Sequence, residues 1–136
     1  MYELFEHTAD LGLRAEAADL NGLFSEAAMA LLSAIVEEPA SVRPTIDSRV
    51  EIAGTDREYL LADWLKELLY RFEDEQMLFC RFEVQTRSNG LSAVVWGEPF
   101  DPERHVLCHE VKAITYHELK VIQTKDGWLA EVIVDI

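Results

Sequence analysis

The sequence predicts an α+β fold in a single domain, residues 1–136, with two helices packed on one side of a mixed or antiparallel β-sheet and a C-terminal β-hairpin. Three observations predict it. Two stretches repeat apolar residues at the spacing of a helix face, while the other apolar stretches alternate as half-buried strands do. Asn89-Gly90 and Asp126-Gly127 each stand between two alternating runs, a strong local signal for a hairpin. Strands open and close the chain with both helices between them, the order of an α+β domain.

Tyr2–His7 reads as a first strand and Thr8-Ala9-Asp10 as the bend after it. Leu13, Ala15 and Ala17 alternate with Arg14 and Glu16, which makes a second strand. Asp19 can accept from the free N–H groups that open a helix. Behind it, Leu20, Leu23, Phe24, Ala27, Leu31 and Ile35 hold the helical period on one apolar face. Pro39 and Pro44 bracket a loop. Val50–Ile52 continues as a strand to Gly54, and Thr55-Asp56-Arg57-Glu58 reads as a capping box. The helix that follows carries the clearest stripe, Leu61, Trp64, Leu65, Leu68 and Phe72, with Asp63, Glu67 and Glu73 to Glu75 facing water. That stripe is core, and Trp64 is no cofactor site. Leu78–Thr86 and Leu91–Trp96 flank Ser88-Asn89-Gly90, and Leu119–Thr124 and Trp128–Val134 flank Lys125-Asp126-Gly127.

Composition bounds the function. Of 136 residues nearly half are apolar, enough for one core and too many for a disordered chain. The formal net charge of -14 repels phosphate backbones, so direct binding of nucleic acid is not expected. It suits a cation, a basic protein partner, or simply a soluble surface. Cys80 and Cys108, in apolar strand-like runs without CxxC spacing, read as buried free thiols of a reducing compartment. No apolar run approaches the ~20 residues of a membrane span, and Met1–Asp10 alternates like a strand rather than a leader. A cytoplasmic protein without membrane contact is expected.

No nucleophile elbow, phosphate-binding glycine loop or zinc pair of cysteines is present. Three histidines of the four crowd the segment before the last hairpin: His105, His109 and His117. On an extended chain His105 and His109 stand ~13 Å apart, too far for one metal, so hydrogen-bonded structural histidines are the better reading. Asp10 near one end and Asp135 with Ile136 at the other make a discontinuous set of carboxylates. Oxygen ligands of that kind select hard cations such as calcium or magnesium. Two unrelated surface aspartates are the simpler account on composition alone. Lys112, beside Glu110, reads by default as solvated, then as an ion-pair partner of Glu110 or Asp135.

His7-Thr8-Ala9-Asp10, Gly97-Glu98-Pro99-Phe100-Asp101 with His105, the run Glu110–His117, and Gly127-Trp128 through Val134-Asp135-Ile136 together resemble the archease family. The resemblance spans essentially the whole chain in order and length, with little signal in Ala40–Arg87. It implies a fold built on a strand-helix-strand-strand module. It also implies a non-enzymatic activator of an RtcB-type RNA ligase in tRNA splicing and RNA repair, promoting ligase guanylylation and multiple turnover and widening its nucleotide use. By the same resemblance Asp10, Asp135 and Ile136, the last through terminal or main-chain oxygen, would hold a divalent cation, best calcium. His7, Glu110, Lys112, Thr115 and His117 would form a ligase-activating patch. The acidic surface would then dock near a ligase's basic groove. A metal-dependent hydrolase or nucleotide-handling enzyme using the carboxylates and His117, and a general chaperone-like module, are the competing readings.

Overall fold

A computed structural model describes residues 1–136. Eight strands and two helices follow in the order β1 (Tyr2–His7), β2 (Asp10–Ala17), α1 (Leu20–Ile35), β3 (Ile46–Ala53), α2 (Arg57–Glu75), β4 (Met77–Arg87), β5 (Gly90–Pro99), β6 (Ala113–Ile114), β7 (Lys120–Gln123) and β8 (Trp128–Asp135). A short 3-10 turn, Pro39–Ser41, lies between α1 and β3.

The α+β class is as expected, but the strands form two sheets instead of one. The five-stranded sheet runs β1-β2-β8-β6, with β7 also on β8; the three-stranded sheet runs β3-β5-β4. All pairings are antiparallel, so the mixed alternative drops out. Alternation tells which face of a strand is buried and says nothing about its neighbour. The terminal strand β8 is central: β2 lies on one side and β6 and β7 on the other.

Helix α1 touches both sheets, which explains why its burial extends beyond the expected single face. Leu23, Phe24, Ala27, Leu31 and Ile35 are buried as the period requires, and Ala28, Ala30 and Ala34 are buried too. Small side chains let the helix approach both layers closely. Asp19 caps its start, accepting from the Gly22 N–H at 2.7 Å. Asn21 ties it to the second sheet, its Oδ1 accepting from both the N–H and the hydroxyl of Thr86. Its last carbonyls have no partner within the helix. The extended segment after β5 supplies them: Cys108 N–H donates to Ile35 and His109 N–H to Ala34. Cys108 is consequently exposed on that segment and Cys80 only half-buried, contrary to the expectation of two buried thiols.

Helix α2 buries Leu61, Trp64, Leu65 and Leu68 as expected, with the Trp64 indole N–H donating to the Phe24 carbonyl at 2.9 Å. Its cap is Asp56, which accepts from the Tyr59 N–H at 3.0 Å; the expected capping box centred on Thr55 is not formed. An aspartate one position nearer the helix offers a charged acceptor to the positive end of the dipole.

Both predicted hairpins form. In the first, Ser88 and Asn89 make the loop and Gly90 already pairs with Arg87. Gly90 is needed for close approach: a Cβ there would stand 2.2 Å from the Ile52 carbonyl oxygen. The expected Asn-Gly turn is thus shifted by one residue.

His105 is buried, as a structural histidine should be. Its Nδ1 accepts from the Asp101 N–H at 2.9 Å, so Nε2 carries the hydrogen that points to Glu98 at 2.8 Å. Glu98 also accepts from Arg104 at 2.6 Å and from the Arg43 N–H at 2.9 Å. Burial alone would raise the Glu98 pKa; the Arg104 bond, then the Arg43 amide and the His105 ring, outweigh it and hold it at about 2.

Candidate functional site

The outer face of the five-stranded sheet is laid out in rows by its register. One row, Glu3–Arg14–Glu131–Lys120, is an ion-pair ladder, with Arg14 at 2.6 Å from both glutamates. Next to it Phe5 lies over Gly12, where a Cβ would come within 2.2 Å of the ring. The Arg14 guanidinium also lies over that ring, 4.4 Å from its centroid.

The next row carries the polar residues. His7 pairs with Asp10 and Ala113 with Asp135. Leu11 pairs with Val134, so Asp10 and Asp135, each one residue further on, stand on adjacent strands. Leu11, Val134 and Ile114 are buried on the opposite face. Alternation therefore turns His7, Asp10 and Asp135 to the same outer face. The two aspartates that read as unrelated on composition are neighbours, each carboxylate without a hydrogen bond or ion pair. Two carboxylates side by side repel unless a proton or cation compensates.

The connection between β6 and β7 brings further groups to this end of the sheet. His7 Nε2 lies 3.2 Å from Glu118 Oε2, and His117 Nε2 lies 3.6 Å from Glu118 Oε1. The two imidazoles meet edge to face, centroids 5.4 Å apart. His7 Nδ1 is buried and has no partner. Thr8 and Glu118, each directly after a histidine of this cluster, have φ of 50° and 54°. Non-glycine residues occupy that region at a cost, and such conformations concentrate at functional sites.

The other patch residues are placed differently. Thr115 donates both its N–H and its hydroxyl to the Ile133 carbonyl, at 3.0 and 2.8 Å, and accepts from the His117 N–H. It is a prop for the His117 turn. Glu110 and Lys112 line an open hollow beside Ile35, Leu69, Phe72 and Glu73, between the helices and the 107–112 segment. Lys112 makes no ion pair, either with Glu110 or with Asp135; its N–H donates to the Asp135 carbonyl at 2.7 Å, so main chain alone joins the hollow to the carboxylate row. Sequence reasoning missed Glu118. The available signal was an acidic residue directly after His117, but its partner His7 is 111 positions away.

The whole length of the chain that builds this site, residues 2–136, matches the model of the archease protein family. The chain belongs to the archease family. Proteins named archease from Methanopyrus kandleri and Sulfurisphaera tokodaii are 42% and 39% identical to it, over 99% of this chain in each case and 99% and 98% of their own lengths. The solution structure of protein 1598 of Methanobacterium thermoautotrophicum is 33% identical, covers 99% of this chain and 98% of its own, and superposes with a TM-score of 0.82. The crystal structure of an archease from Thermotoga maritima, described as a possible chaperone, is 20% identical, covers 100% of this chain and 98% of its own, and reaches a TM-score of 0.67. The second likeness supports the fold. The two-helix, two-sheet architecture is that of the archease structures.

Proposed function

We propose that this protein is a non-enzymatic, cytoplasmic activator of an RtcB-type RNA ligase in tRNA splicing and RNA repair. In this reading it promotes ligase guanylylation and multiple turnover and widens the ligase's choice of nucleotide. Family membership over the full chain supports the reading, and one observation carries it: Asp10 and Asp135 stand beside each other, unpaired, on the outer face of the sheet. Neighbouring carboxylates without a protein partner are chemically suited to a hard divalent cation, and calcium tolerates an irregular set of oxygens at ~2.3–2.6 Å. Asp10 and Asp135 would hold it through side-chain oxygens and Ile136 through a main-chain oxygen. The ion would supply positive charge beside two carboxylates that have no cationic side chain paired to them. His7, His117 and Thr115 border the carboxylates, while Lys112 and Glu110 would extend the patch into the adjoining hollow.

Multiple-turnover ligation by the cognate ligase, with and without this protein, tests the reading. Addition is expected to raise guanylylation and the number of products per ligase, with no joining or hydrolysis by the protein alone. Asp10→Asn and Asp135→Asn are each expected to abolish the stimulation with an unchanged circular dichroism spectrum, because each removes charge and almost no volume. Unaltered ligase turnover across a full titration of the wild-type protein would sink the proposal.

A further inference from the structure

The geometry points to a second metal site, distinct from the carboxylate pair: a zinc-class ion held by His7, His117 and Glu118. The three side chains can each offer one ligand atom with all three within 4.8 Å of one another. Their spacing is close to a coordination shell already. At zinc–ligand distances of ~2.0–2.2 Å, the edge of a tetrahedron is about 3.4 Å. The Glu118 oxygens stand 3.2 Å from His7 Nε2 and 3.6 Å from His117 Nε2, on either side of that length. Each imidazole faces a different oxygen of the same carboxylate, so an ion could enter between them with small side-chain shifts.

Ligand chemistry separates this site from its neighbour. Two imidazoles and one carboxylate favour a borderline transition metal, whereas the all-oxygen set of Asp10, Asp135 and Ile136 favours calcium or magnesium. His7 presents one nitrogen outward, because Nδ1 is buried and unpartnered while Nε2 faces Glu118. Asp10 is its cross-strand neighbour. Metal-bound imidazoles commonly donate their second N–H to a carboxylate, which fixes the ring and raises its basicity, and Asp10 is placed by register to take that role. Three protein ligands leave one position of a tetrahedral ion open to water. Occupied, the site would fasten the β6–β7 connection to the β1–β2 hairpin, two segments that otherwise meet here through hydrogen bonds and ring contact. The inference does not depend on any ligase.

Zinc titrated by calorimetry into the chelator-treated full chain, in saturating calcium to fill any hard-cation site, tests it directly. One zinc per chain is expected, with binding weakened at least about tenfold in His117→Ala; loss of even an outer-shell partner commonly costs that much. The His117 side chain is 63% exposed, so its removal leaves the core alone and far-UV circular dichroism will report the same fold. Cobalt supplies a readout independent of affinity: visible d–d absorption of a tetrahedral nitrogen–oxygen site, present in wild type and lost in His117→Ala. No zinc binding, equal zinc binding by wild type and His117→Ala, or a cobalt spectrum indifferent to the imidazole each overturns the site. Zinc that is lost in Asp135→Asn but kept in His117→Ala belongs to the carboxylates, and that result overturns it as well.

Discussion

Glu98 is the residue whose environment departs furthest from that of a free carboxylate. It is buried, yet its bonds to Arg104, the Arg43 amide and His105 keep it ionised well below the usual range, at about 2. A group with a depressed folded pKa adds stability above its unfolded value, near 4.5, and loses it as pH falls toward 2. Urea unfolding should therefore show stability falling across that window in wild type, with a flatter acid limb in Glu98→Gln. At pH 7 the same substitution is expected to destabilise the fold, since Arg104 and the Arg43 amide lose a charged acceptor. An unchanged acid limb in the variant would show that other carboxylates govern acid unfolding. Glu98 belongs to the Gly97–Asp101 motif, and its physical role is to anchor the loop that leads to the 107–112 segment.

Among the elements, the β4–β5 hairpin depends on a glycine that no turn requires. The register of the pair shifts between Phe79 and Arg81, so Cys80 is an extra residue in β4. Gly97 faces that irregularity, and a Cβ on it would lie 1.8 Å from the Leu78 carbonyl oxygen. Backbone cannot retreat from such a contact without breaking the ladder. Gly97→Ala is expected to destabilise by about 3 kcal/mol or more in thermal or denaturant unfolding. Gly54→Ala is the matched control, because the nearest atom to its Cβ would be Leu60 Cδ1 at an ordinary 3.7 Å. That variant should unfold within about 1 kcal/mol of wild type. Equal costs for the two would show that the bulge yields more easily than its geometry implies.

At the scale of the whole molecule the governing quantity is the charge of -14. Its field opposes approach to a phosphate backbone and favours a basic protein surface. Fluorescence anisotropy should register negligible binding of labelled RNA by the free protein at physiological ionic strength. The proposed stimulation of an RNA ligase should weaken as salt rises above 0.1 M, where exposed charges are screened over ~10 Å. Tight RNA binding, or stimulation indifferent to salt, would remove charge complementarity from the account.

What the sequence determined by itself is local. The period of Leu20–Ile35 and of the Trp64 stripe, the Asp19 cap, and both hairpins are written in contiguous residues, because backbone geometry makes spacing within a segment equivalent to a face. The motifs around Asp10, Lys112 and Asp135 were equally legible, and led to the family. Tertiary structure decided which strands meet. Alternation in Trp128–Asp135 marks a buried face but is silent on whether β2 or any other strand lies alongside, so only the fold could bring Asp10 beside Asp135 and split the strands into two sheets. His7 and Glu118 carry no mutual signal across the 111 positions between them. Their meeting follows from pairing β1 to β2, β2 to β8 and β8 to β6 at one register, a long-range outcome of burying Leu11, Val134 and Ile114 together on the other face.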